Sequence, residues 1–303
     1  MSNATAKEIR TLLRERNAIL LAHNYQPPEI QDIADLTGDS LELSIKAAQT
    51  EAAIIIFCGV LFMAETASIV SPDKTVLIPR IDAGCPMADM ITPESLENRL
   101  SELGEMPVVT YVNSSASVKA CSTICCTSAN VAAVVNSLTE SEILMTPDRN
   151  LAQYAASKTS KKIHFWNGYC PIHDELTEQL VLDSKKAHPD ALFMAHPECR
   201  PEVLALADAV LSTSGMLKFA KDSANRSFIV GTEEGLIYPL QQANPNKAFY
   251  KASESMTCED MKKTSLSDVL KALQTTTYEV KVPEDIRKSA VTAVERMLGI
   301  TGK

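Results

Sequence analysis

Three short apolar runs, each ending in polar residues at alternate positions, recur along the chain: LLAHNY (20–25), VVTYVN (108–113) and FMAHPE (193–198). With His23, Tyr111 and His196 in register the offsets are 88 and 85 residues, and Tyr25, Asn113 and Glu198 fall two positions further on. A β-strand sends residues i and i+2 to one face. Each repeat is therefore expected to present a polar pair at the carboxyl end of a buried strand, where open α/β sheets hold their ligands. Self-similarity at a fixed period marks a chain built from repeated units, and any fold assigned to it must obey that period.

The rest of each unit keeps the same register. Hydroxyl-bearing turns, TGDS (37–40), CTSAN (126–130) and LSTSG (211–215), place Ser40, Ser128 and Thr213 at the same offsets. Further apolar runs follow at AAIIIF (52–57), EILM (142–145) and SFIV (227–230), then at TVLIP (75–79), KIHFW (162–166) and KAFYK (247–251). The unit reads strand, helix, strand, helix, strand. Length alone, at about 150 residues per domain, would put two domains in 303 residues. The repeat instead divides the chain into 18–104, 105–189 and 190–275. Outside it lie an N-terminal helix, 4–16, with Ile9, Leu12 and Leu13 on one face, and a C-terminal helix, 283–298, opened by Pro283 with Ile286, Ala290, Val294 and Met297 aligned. These two are expected to pack together beside the first unit. Alternating strands and helices favour parallel sheets covered on both faces. The expected fold is α/β, with three small three-layer α/β/α domains related by a pseudo-threefold axis and the active site on that axis.

Past the third apolar run come GCPMAD (84–89), YCPIHD (169–174) and TCEDM (257–261), which align Cys85, Cys170 and Cys258 at offsets of 85 and 88 residues. None of the other five Cys passes this test. The first residues, MSNATAKEIRTLLRERN, lack the apolar stretch of a signal peptide or membrane span. A cytoplasmic protein is expected, in which Cys are reduced. Its 29 basic against 38 acidic residues, with no Lys/Arg block, argue against nucleic acid as a partner.

Three converging thiolates suit zinc or an iron–sulfur cluster. A cubane held by three Cys leaves one iron open, able to act as a Lewis acid on hydroxyl or carboxylate oxygens. A single free Cys is most often a small buried hydrophobe, and the matched offsets weigh against that for these three. His173 is read as a fourth ligand, an acid/base group, or an ordinary histidine at a helix start. Cys121, Cys125 and Cys126 form C-x3-C-C; a radical-type cluster loop needs a Cys where Ser128 stands, so they are read as core or turn residues, and a vicinal disulfide there would be strained. Helix starts with free N–H groups bind phosphate or carboxylate, whereas Ser40, Ser128 and Thr213 taken singly would be simple N-caps. His23, Tyr25, Tyr111, Asn113, His196 and Glu198 supply acids, bases and neutral donors for stepwise proton transfer.

These residues resemble the quinolinate synthase family. The resemblance runs along essentially the whole chain, through AHNYQ with DS at 39–40, YVN at 111–113, TSAN at 127–130, WNGYCPIH at 166–173, HPEC at 196–199, STSGM at 212–216, GTEEG at 231–235 and the Cys258 segment. It implies a transferase of de novo NAD biosynthesis that condenses iminoaspartate with dihydroxyacetone phosphate to quinolinate, phosphate and water. It also implies one 4Fe-4S cluster on Cys85, Cys170 and Cys258, with L-aspartate oxidase as upstream supplier. Substrate binding carries over to His23, Ser40, Tyr111, Asn113, Ser128, His196, Glu198 and Thr213. Tyr25 and Glu198 are the candidates for proton transfer, with His23 and His173 also catalytic candidates and Met63 close to the pocket. Two other classes compete: an iron–sulfur hydro-lyase that only dehydrates, and a non-catalytic metal sensor.

Overall fold

The computed structural model describes residues 2–300. It contains three four-stranded sheets, all parallel. The first is built from β1 (Ala18–His23), β2 (Leu36–Gly38), β3 (Ile54–Cys58) and β4 (Thr75–Leu77), in the order β2-β1-β3-β4. The second, from β5 (Val108–Tyr111), β6 (Ile124–Cys126), β7 (Glu142–Thr146) and β8 (Lys162–Phe165), and the third, from β9 (Leu192–Ala195), β10 (Ala209–Val210), β11 (Ser227–Gly231) and β12 (Ala248–Lys251), repeat that order. Helices flank each sheet, which gives the expected α/β/α units. In every unit the order reverses between the first and third strands, and such a switch point opens a crevice at the carboxyl ends.

The central strands are continuous apolar runs, AILLAH and IIIFC in the first sheet, as strands buried on both faces must be. Each unit has one strand more than the apolar runs announce. The extra strands, β2, β6 and β10, span only three, three and two residues, too short to show an alternation. Their parallel pairing explains the geometry of the site: His23 lies opposite Gly38, Tyr111 opposite Cys126 and Ala195 opposite Val210. The hydroxyl turn that follows each edge strand is thereby held beside the polar end of the first strand.

The two terminal helices both touch the first unit, as expected, but pack mainly on other elements and not on each other. Ser2–Glu15 packs on the helix Leu266–Thr275 and on β1, whereas Glu284–Leu298 packs on the helix Ala116–Ala120, on β6 and on the helix Leu61–Val70. Apolar faces on both ends satisfy either arrangement, so periodicity could not choose. Leu266–Thr275, counted in sequence with the third unit, lies on the first sheet. Its Val269 and Leu273 close a core cluster with Ile9, Leu13, Leu20 and Ile56. Leu273→Ala is expected to lower the unfolding free energy by about 2–5 kcal/mol through lost burial and an unfilled cavity. The check is a lower urea midpoint at an unchanged slope. Among the described residues no helix is long and apolar enough to cross a membrane.

Candidate active site

β1 ends at His23, β5 at Tyr111, and β9 one residue before His196. Tyr25, Asn113 and Glu198 thus lie beyond their strands, so the polar pairs are set by turns and not by strand alternation. In two units the turn closes alike: the Tyr25 N–H donates to His23 Nδ1 at 3.2 Å and the Glu198 N–H to His196 Nδ1 at 3.4 Å. The His23 and Tyr25 rings meet edge to face at 4.5 Å.

The strand ends enclose a cavity of about 40 Å³ that all eight residues singled out for substrate binding line: His23, Ser40, Tyr111, Asn113, Ser128, His196, Glu198 and Thr213, together with Tyr25. It adjoins a larger cavity of about 200 Å³, whose wall carries Cys85, Cys170, Cys258 and His173. Tyr25, Asn113 and Glu198 border both cavities, and neither is lined by Lys or Arg. Glu198 Oε1 and Asn113 Oδ1 are buried without a hydrogen-bond partner, a state that native interiors rarely leave uncompensated and that a ligand would relieve. Met63 packs in the core and is not among the lining residues.

The hydroxyls are not plain caps. Asp39 caps the helix Ser40–Gln49, accepting from Leu41 and Glu42 N–H at 3.0 Å each, and Ser212 caps Thr213–Asp222 through the Gly215 N–H at 3.2 Å. Ser40 and Thr213 stand one residue inside, among the N–H groups that a helix leaves unpaired. Ser128 precedes the helix Val131–Ser137, lines the cavity with Tyr111, and does not cap it. The Ser212 hydroxyl donates to Asp39 Oδ2 at 3.2 Å, which ties the first unit to the third.

Each of the three Cys heads a helical turn. Its carbonyl accepts from Asp89, Asp174 and Met261 N–H respectively, and backbone N–H groups of the same turn reach the sulfur. Burial pushes the Cys85 thiol up to about 12, the Cys258 thiol to about 11 and the Cys170 thiol well above its usual range, with the Glu198 charge adding at Cys85 and Cys170. Left alone these thiols stay protonated. Three soft donors on one wall, backed by N–H groups that stabilise thiolate, fit a cationic iron–sulfur centre. One ligand atom each of Cys170, His173 and Glu198 also lies within 4.8 Å of the others, a set able to hold a metal ion. Cys125 and Cys126 are buried in β6 and Cys121 sits at an exposed turn.

Glu198 is the electrostatic centre of the site. Burial raises its carboxyl, yet His173 and His196 outweigh that and hold it well below the usual carboxylate range. Glu198 Oε2 lies 2.8 Å from His173 Nδ1 and 3.2 Å from His196 Nδ1. Burial pushes His23 down to about 3, with His196 adding, so its ring is neutral. Burial and the Glu198 charge raise both Tyr25 and Tyr111, which remain phenols.

A supporting layer was not singled out in the sequence. Asn150 donates to the Glu198 carbonyl at 3.0 Å and to Asp174 Oδ1 at 2.9 Å, while Arg149 and Arg200 pair with Asp174. Glu233 accepts from the Cys258 N–H at 3.1 Å and pairs with Lys262 at 2.8 Å. The polar stretch TPDRN after an apolar strand was the available signal for the first group, and GTEEG for the second.

Fold and site together define a three-unit α/β protein whose polar and thiol side chains gather where three sheets end. A profile of the family described as Quinolinate synthetase A protein matches residues 7–299. The chain is 58% identical over 293 residues to the quinolinate synthase of Geotalea uraniireducens, covering 97% of this chain and 96% of that protein. It is 52% identical over 299 residues to that of Thermodesulfovibrio yellowstonii, covering 98% and 99%. Quinolinate synthase 1 of Methanosarcina acetivorans is 52% identical over 297 residues, with 98% of each chain covered. The chain belongs to the quinolinate synthase family.

Proposed function

We propose that the protein condenses iminoaspartate with dihydroxyacetone phosphate to form quinolinate with release of phosphate and water, as a transferase-class enzyme of de novo NAD biosynthesis in the cytoplasm. An L-aspartate oxidase would supply the unstable imine. The observation that carries this reading is the junction of the two cavities: polar residues of all three units share Tyr25, Asn113 and Glu198 with a wall of three thiols. The units are taken as 18–104, 105–189 and 190–275.

Two small anionic substrates suit a pocket that holds negative charge without Lys or Arg. The N–H groups at the starts of Ser40–Gln49 and Thr213–Asp222, with the hydroxyls of Ser40, Ser128 and Thr213, take carboxylate and phosphate oxygens. Neutral His23 and His196, with Tyr111 and Asn113, orient the substrates. The Glu198 carboxylate takes protons, the Tyr25 phenol gives or relays them, and His173 holds Glu198 in place. A 4Fe-4S cluster on Cys85, Cys170 and Cys258 supplies, when bound, one open iron that polarises hydroxyl and carboxylate oxygens. Carbon–carbon bond formation and phosphate loss come first, then isomerisation, ring closure by the imine nitrogen and dehydration.

The test is anaerobic turnover with both substrates, in which quinolinate and inorganic phosphate appear together. Dehydration of a hydroxy acid without phosphate release would favour the hydro-lyase reading instead. Ser40→Ala is expected to raise KM about 10-fold, the equivalent of one hydrogen bond to a charged group, with kcat changed far less.

A further inference from the structure

The three cysteine turns are tied across the units by bonds that use no thiol. The Gly84 N–H, one residue before Cys85, donates to Asp260 Oδ1 at 3.1 Å. Asp260 lies two residues after Cys258, in the helical turn Glu259–Lys262, and 176 positions from Gly84. Lys263 doubles this link, since its Nζ donates to the same Asp260 oxygen at 2.7 Å and to the Asp82 carbonyl at 2.6 Å. The first and second units meet where the Trp166 indole N–H donates at 2.9 Å to the carbonyl of Met90, the last residue of the turn Ala88–Met90. The second and third meet where Asp174, at the end of the turn Pro171–Asp174, pairs with Arg200 at 3.1 Å.

The link through Asp260 joins two cysteine turns directly, with each partner within two residues of a thiol. The Gly84 N–H also reaches the Asp82 carbonyl at 3.1 Å, so it has an acceptor within its own turn. What the carboxylate adds is the tie between the first and third units. Cys85 and Cys258 are too far apart in sequence for any local structure to set their separation, and a charge-assisted bond from backbone to carboxylate is among the stronger ways to fix it. Gly84 and Asp260 also line the larger cavity beside the thiols, so the tie sits at the wall that carries them.

We propose that Asp260 is a positioning residue, which holds the Cys258 turn against the Cys85 turn so that both thiols face one iron–sulfur centre. The assignment rests on the cluster of the quinolinate synthase reading. It is tested on the full chain reconstituted with iron and sulfide, by anaerobic loss of iron to a ferrous chelator. Asp260→Ala is expected to release iron about 10-fold faster than wild type, the lower end of what a lost ligand-orienting partner costs. Asp260→Asn keeps the oxygen that accepts from Gly84 and Lys263, and should stay within about threefold of wild type although the charge is gone. The urea midpoint of the cluster-free Asp260→Ala chain should barely move, because one partly exposed charged contact contributes little to folding. Leu273→Ala, which weakens the fold through its core cluster instead, should release iron within about threefold of the wild-type rate. If Asp260→Ala does not fold, Lys263→Met, at a partly exposed side chain, stands in for it, with iron loss about threefold faster than wild type expected. A wild-type rate in the variant used, an Asn variant as leaky as Ala, or a Leu273→Ala chain as leaky as Asp260→Ala would each overturn the assignment alone. A wild-type chain that takes up no iron and sulfide would overturn it together with the cluster, whereas one that holds both but makes no quinolinate would overturn the function only.

Discussion

Cys85→Ala, Cys170→Ala and Cys258→Ala are each expected to strip iron and acid-labile sulfide from protein purified without oxygen and to abolish quinolinate formation, while Cys126→Ala keeps both. The wild-type chain should carry about four of each, as a cubane requires. All three residues face one cavity, and their buried thiols stay protonated until a cation draws the proton off. Cys126 is more deeply buried than these three and sits inside β6 as a packing residue. The set Cys170, His173 and Glu198 makes a competing prediction, since a single ion held there would survive Cys85→Ala and Cys258→Ala. Zinc, or no metal after anaerobic reconstitution, would leave the fold intact and remove the Lewis-acid part of the proposal.

The offsets of 88 and 85 residues bring the polar side chains to one cavity, because residues equivalent in a repeat end up equivalent in space. That is why the eight lining residues and the three cavity-facing Cys were legible together, although their chemical roles rest on the family and on experiments. The order of strands within each unit was only partly legible. β10 has two residues and leaves no periodic trace, yet strands of that kind carry the hydroxyl turns. Terminal-helix packing was illegible for a different reason: an apolar face states that a helix is covered, not by what. Asn150 was missed because it bonds to a carbonyl brought from another unit, and sequence spacing carries no record of such meetings.

Glu198→Gln is expected to lower kcat by about 10²- to 10⁴-fold, the usual worth of a positioned acid or base, with iron content and substrate binding largely retained. Gln matches the shape of Glu, so packing survives, but half of its head group is a donor. Against His173 Nδ1–H, 2.8 Å away, the amide can offer its oxygen, which turns its NH2 towards the buried position now held by the unpartnered Oε1. A proton acceptor bordering both cavities thus becomes a donor. The loss of charge reaches further: Glu198 raises the phenols of Tyr25 and Tyr111 and the thiols of Cys85 and Cys170, so each should ionise more easily in the variant. Because the wild-type carboxyl is held below its usual range, it stays ionised as the pH falls towards 5. An acid limb of turnover in that region must then belong to another group and should persist in Glu198→Gln, scaled down. A Gln variant with full turnover would show that the carboxylate holds His173 and His196 in place but moves no proton.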